Sequence, residues 1–191
     1  MLVITRLSQL DFNSTYSYED YLTWDFEERV ELINGKIVEI PYPMRLHQKA
    51  LINIVRQFHH CLDTSSCEMY FAPFDVRFPN ANGKIKTVVQ PDLCVICDQE
   101  KLDDRGCLGA PDFVVEILSP GNSKREMKDK FELYQENGVA EYWVVRPEEK
   151  NIQIFVLENG KYIGLAPITE GDIAVSTRFP ELRFSTETLF D

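Results

Sequence analysis

Glu116 is a carboxylate set inside an apolar run. Residues 111–134 read PDFVVEILSPGNSKREMKDKFELY, and 113–118 have the length and composition of a buried strand. Strand side chains alternate faces, so Asp112, Val114, Glu116 and Leu118 share one face. A carboxylate there is costly unless it is paired or binds a metal. Two readings follow: an edge strand whose acid faces water, or a carboxylate that does chemistry. Ser119, Pro120, Gly121 and Asn122 stop the strand and start a helix. At about 100° per residue, Met127, Phe131 and Tyr134 form the apolar stripe of that helix. Glu126 and Lys130 lie on one flank of the stripe, so the Lys130 stem runs along the buried face. That lysine is either a snorkelling side chain paired with Glu126 at i,i+4 or a charge carried toward the acid.

The rest of the chain must supply the elements that position these groups. A first short helix is expected over 17–29, with Ser17 as N-cap and Glu19 and Asp20 in its first turn. Residues 30–40 read as a hairpin turning at Asn34-Gly35, with Glu31 on its first strand. A longer helix over 46–62 carries His47 within its apolar arc. Strands are expected over 69–78 and 88–97, and in the second Asp92, Cys94 and Ile96 share a face. Residues 101–110 read as a loop. After the Lys130 helix come a strand over 141–146, a hairpin over 152–165 turning at Asn159-Gly160, and short strand-like pieces in the tail. The order of elements is that of a mixed α/β protein.

Composition narrows the function classes. The 191 residues fit one domain spanning 1–191 with a real core. A hydrophobic content of 44% argues against disorder. No apolar run reaches the ~20 residues that span a bilayer, and no signal peptide is evident, so a cytoplasmic protein without membrane contact is expected. The formal net charge of −11 argues against a broad phosphate-binding surface. The odd count of five cysteines suggests reduced thiols that pack as small hydrophobes. Cys94 and Cys97, three apart on one strand, point to opposite faces, so they should share neither a metal nor a disulfide.

Several motifs in order carry a resemblance: ELINGKIV, the His47 helix, QPDLCVI, PDFVVEILSP and the run from Lys130 through Tyr134 to GVAEYWVV. Together they resemble a large bacterial family of restriction-endonuclease-like proteins in the PD-(D/E)xK nuclease superfamily. The resemblance covers about 18–147 as core, with a β addition over 148–191. It implies a mixed sheet flanked by helices, and a metal held by the PD aspartate and the (D/E)xK acid. Pro91-Asp92 and Pro111-Asp112 both offer a PD. Asp112 and Glu116 are about 13 Å apart along one strand at the usual rise, too far to share an ion with bonds near 2 Å. Asp92 can lie on a strand beside Glu116. The implied ligands are therefore Asp92 and Glu116, with the Ile117 carbonyl as a third and Glu31 completing the acidic site.

The sequence departs from the motif at its lysine, since Leu118 stands in that position. Lys130, on the following helix, fits the migrated lysine of other superfamily branches. Tyr134 would orient it or reach a phosphate, with Glu126 and His47 in support. The implied function is Mg²⁺- or Mn²⁺-dependent hydrolysis of DNA by a homodimer. The alternative is a catalytically inactive nuclease-fold protein that binds nucleic acid or a protein partner.

Overall fold

Two long strands expected from the sequence are each broken, and the breaks build the fold. The structure, a computed structural model, describes residues 3–62, 65–119 and 124–190, and for His60, Lys124, Arg125 and Glu126 the backbone only. In chain order α1 is Tyr18–Tyr21, β1 Val30–Ile33, β2 Lys36–Glu39, α2 Arg45–Leu62, β3 Glu68–Phe71, β4 Val76–Pro79, β5 Ile85–Val89 and β6 Leu93–Ile96. Then come β7 Leu102–Asp103, β8 Gly106–Leu108, β9 Phe113–Ile117, α3 Lys124–Asn137, β10 Glu141–Arg146, β11 Asn151–Glu158 and β12 Lys161–Gly164. The tail holds β13 Ile168–Thr169, β14 Ile173–Val175, β15 Arg183–Ser185 and α4 Glu187–Phe190.

One sheet has the order β2-β1-β5-β4-β8-β7, and a larger one β12-β11-β10-β9-β6-β3, with β13 beside β11. The expected strand over 69–78 is β3 in the larger sheet and β4 in the smaller. The expected strand over 88–97 is likewise β5 in the smaller and β6 in the larger. Pro73 and Pro91 stand in the two gaps, where a missing N–H cannot continue a ladder. At each of these two prolines the chain passes from one sheet to the other, and Asp92 falls in the passage at Pro91, just ahead of β6.

Alternation on the central strands sorts the two faces. Phe113, Val115 and Ile117 pack with Ala50, Ile54 and Phe58 of α2 and with Leu182 and Leu189 of the tail. Val114, Tyr142 and Val144 pack on the other face with Leu133 and Tyr134 of α3. The Asn34-Gly35 turn has φ of 51° and 79°, the left-handed pair that a tight hairpin requires. α2 and α3 form where the apolar periodicity predicts helices.

Three further expectations are corrected. The helix over 17–29 is a single turn, α1, although Ser17 caps it in a reciprocal box with Asp20. Residues 101–110 form the small hairpin β7–β8 rather than a loop. Cys67 and Cys97 are disulfide-bonded, so not all thiols are reduced; Cys67 precedes β3 and Cys97 follows β6, one step beyond the register that sets Glu68 opposite Ile96. Cys94 is buried away from Cys97, as alternation requires. The link over 120–123, expected to stop β9 and start α3, lies outside the described residues. No helix among the described residues is long and apolar enough to cross a membrane.

Candidate active site

Asp92 and Glu116 meet because β6 and β9 run antiparallel. Leu93 faces Val115 and Cys94 faces Val114, so the next step of that register sets Asp92 opposite Glu116. Asp92 is fixed from two sides. Its Oδ2 accepts the Ile117 N–H at 2.7 Å, and its Oδ1 lies 3.0 Å from His47 Nε2. His47 belongs to the first turn of α2, so the helix on one face of the sheet reaches the strand end. His47 Nδ1 is buried and has no partner among the described residues.

Glu116, lining the same cleft as Asp92, reaches toward α3. Lys130 Nζ donates to its Oε1 at 2.8 Å, and the Tyr134 hydroxyl donates to the same oxygen at 2.6 Å. Lys130 also donates to Glu31 Oε1 at 3.0 Å. Glu31 comes from β1 of the smaller sheet and accepts the Gln90 N–H at 2.8 Å. The lysine is 7% exposed and Glu31 2%. This overturns both solvent-facing readings: Glu116 is not an edge acid in water, and Lys130 does not snorkel. The Glu126 side chain lies outside the described residues.

Charge in this cluster is unbalanced. Three carboxylates, Glu31, Asp92 and Glu116, surround one ammonium. Burial pushes the Glu116 carboxyl up to about 8, with Asp92 and Glu31 adding to the rise and Lys130 opposing it. Burial opposes the Lys130 charge, yet Glu116 and Glu31 beside it hold its pKa well above the usual lysine range. Burial likewise raises the Tyr134 phenol, so it stays a hydrogen-bond donor.

The cluster opens into a cavity of about 50 Å³ lined by His47, Asp92, Glu116, Ile117, Lys130 and other residues. That is room for a small ion with water, since ~10–15 Å³ suffices for one water. Among the described residues no three His, Cys, Asp or Glu side chains form a ready metal cage. Two carboxylates on one face suit a hard cation such as Mg²⁺, which is bound through one or two carboxylates and takes its other oxygens from water or phosphate. The donor set does not suit zinc, which prefers Cys and His.

Asp112, the other PD aspartate, is used elsewhere. It accepts from the Cys97 N–H at 2.9 Å and from Arg178 Nη2 at 2.7 Å, pinning the tail to the sheet. Two residues of the cleft, Arg29 and Gln90, were not singled out from the sequence. Arg29 immediately precedes β1 and is two residues from Glu31, a same-face spacing that could have marked it.

The fold and cluster define a restriction-endonuclease-like α/β protein with a buried acid–lysine site at the junction of two sheets. The chain belongs to the Uma2 family, described as "Putative restriction endonuclease", whose model matches residues 18–187. An uncharacterized protein, slr1290, from a Synechocystis strain is 25% identical over 142 residues, 73% of each chain. The crystal structure of a putative nuclease belonging to DUF820 from Anabaena variabilis superposes with a TM-score of 0.72 at 18% identity, covering 92% of this chain and 97% of that one.

Proposed function

We propose that the protein is a metal-dependent endonuclease that hydrolyses phosphodiester bonds in DNA. The observation that carries this reading is Lys130, buried with its ammonium between Glu116 and Glu31 beside Asp92. The family description and the nuclease title of the structural neighbour support it.

Asp92 and Glu116 would hold Mg²⁺ or Mn²⁺, with the Ile117 carbonyl as a third oxygen. The chemistry such an ion supplies is polarisation of a phosphate and a lowered pKa for its water. His47 and the Ile117 N–H orient the Asp92 carboxylate. Tyr134 fixes Glu116 Oε1 and leaves the carboxylate plane set. Lys130 would place its ammonium against the charge that develops on the reacting phosphate, where a preorganised cation in a dry site is most effective. Glu31 holds that ammonium in place through a second ion pair.

A second reading, binding of nucleic acid or a protein partner without cleavage, is favoured by Leu118, which lines the cleft where the motif lysine would stand. Plasmid and single-strand cleavage with Mg²⁺ or Mn²⁺ separates the two. The nuclease reading expects metal-dependent products that vanish in Asp92→Asn and Lys130→Ala. Metal-induced stabilisation without cleavage of any DNA would leave only the binding reading. The proposal includes a homodimer: β12 ends the larger sheet, and a strand edge is a template for pairing.

A further inference from the structure

Beside the acid–lysine cleft lies a second cavity of about 340 Å³. It shares Arg29 and Gln90 with the cleft, so the two are neighbours across one wall. Its lining includes Tyr21, Trp24 and Phe26. The three rings form a continuous aromatic group: Trp24 is near-parallel to Phe26 at 5.9 Å between centroids and tilted against Tyr21 at 5.4 Å. All three are half-buried, whereas Tyr18 of the same segment is buried in the core. Their inner sides pack against the cluster of Tyr18, Val30 and Leu32, and their remaining surface lines the cavity. The shared wall is polar and built. Gln90 Nε2 donates to Asp75 Oδ1 at 2.9 Å, and Gln90 Oε1 accepts from Arg29 Nη2 at 3.2 Å. Arg29 Nε is buried and has no partner among the described residues. A volume of this size is within the range of small-molecule sites, ~300–1,000 Å³.

We propose that this cavity takes an unpaired nucleobase, stacked on Trp24 and Phe26, while Arg29 grips the phosphate that joins it to the nucleotide in the cleft. The inference rests on the phosphodiester reading of the neighbouring site and names its substrate class as single-stranded polynucleotide. Charge supports this choice. Tracking a duplex takes many cationic contacts, and the chain carries 20 Lys and Arg against 31 Asp and Glu. Glu27 and Glu28 edge the cavity and repel a phosphate run. Stacking works on the uncharged face of every base and tolerates an acidic surround. Affinity then comes from rings plus one guanidinium, not from a basic groove.

The test is binding without catalysis. In EDTA, a six-residue oligothymidylate is titrated while tryptophan emission and the anisotropy of an end label are followed. The other tryptophan, Trp143, is buried in the core, so quenching reports Trp24. The expected result is saturable quenching by the single strand, with a stable blunt duplex of about twenty base pairs at least tenfold weaker. Phe26→Ala should raise Kd about tenfold with the melting temperature close to wild type, and Phe26→Tyr should restore binding. With one phosphate contact, log K should fall against log salt with a slope of about −0.7, and Arg29→Gln should flatten it. Equal affinity for duplex and single strand, no binding, or an unchanged Kd in folded Phe26→Ala would overturn the subsite. An oligouridylate arm tells DNA preference from RNA. A wild type that binds the hexamer but cuts nothing sinks the nuclease reading and keeps the subsite. One that cuts DNA while Phe26→Ala binds normally does the reverse.

Discussion

Lys130 lies 2.8 Å from Glu116 through a buried ion pair that ties α3 to β9 fourteen residues upstream. The pair closes the migrated-lysine geometry: the strand presents the acid and the next helix returns the cation to it. A buried charge without a partner is the costly state, so the two groups depend on one another.

Lys130→Ala should therefore cost stability as well as cleavage. It leaves Glu116 and Glu31 buried without their cation, a loss of about 3–5 kcal/mol for a broken buried pair. Mg²⁺ should stabilise this variant more than the wild type, because a bound cation would replace the missing positive charge and ligands of the folded state raise its melting temperature. Calorimetry with and without Mg²⁺ checks both points. A variant that melts like wild type would remove the ion pair from the account of stability.

Tyr134→Phe is the milder probe of the same acid. It deletes one hydrogen bond to Glu116 Oε1 and keeps the ring between Phe78 and Tyr142. A loss of about 1 kcal/mol is expected below about pH 8, where Glu116 is protonated, the worth of a neutral hydrogen bond. Urea unfolding measures it, and a cost below 0.5 kcal/mol, roughly the error of such fits, would show that the hydroxyl is dispensable.

How much of this was legible in the sequence depends on the element. The hairpin carrying Glu31, the helix carrying His47 and the strand–helix unit from Glu116 to Tyr134 follow from turn residues and apolar period. The passages between sheets at Pro73 and Pro91 did not emerge, although both prolines sit inside the apolar runs that they divide. Proline in such a run argues against one continuous strand, and that signal was outweighed by composition. Glu31 reaches Lys130 only through the fold of two separate sheets, so spacing alone could not set that distance. Arg29 carried no signal beyond its place two residues from Glu31. The Cys67–Cys97 bond needed the β3–β6 register, which the broken strands concealed.

That bond makes a direct count possible. Of the five cysteines, Cys61, Cys94 and Cys107 are free. Protein purified without reductant and unfolded in guanidinium should titrate three thiols, and five after reduction. Reduction should lower stability by about 3–4 kcal/mol for a closed loop of this length. Five thiols before reduction would show that the pair does not form in solution.

The homodimer is checked by light scattering. A mass near twice the 22.2 kDa chain is expected at micromolar concentration. A Lys substitution at Ile163 on the β12 edge should shift it toward the monomer, since a charge on an edge strand opposes pairing. A concentration-independent monomer would remove the dimer from the proposal.

The acid surplus around Lys130 sets the last prediction, a stability that falls as pH rises without metal. Glu116 has an ordinary value of 4.5 and is pushed up to about 8 in the folded protein, chiefly by burial. The folded state therefore binds this proton more tightly than the unfolded chain. Stability is fullest below 4.5 and is lost as pH climbs through that window toward 8. Lys130, raised above its ordinary 10.5, is protonated in both states across the same range and adds no slope there. Melting temperature should thus drop between pH 5 and 8, by ~2–4 °C for each kcal/mol at this chain size. Glu116→Gln mimics the protonated acid and should flatten that drop. Mg²⁺ favours ionised carboxylates, so its stabilising effect should be larger at pH 8 than at pH 5. A wild-type profile that is flat over this range, or a slope that survives in Glu116→Gln, would move the titrating group away from the site.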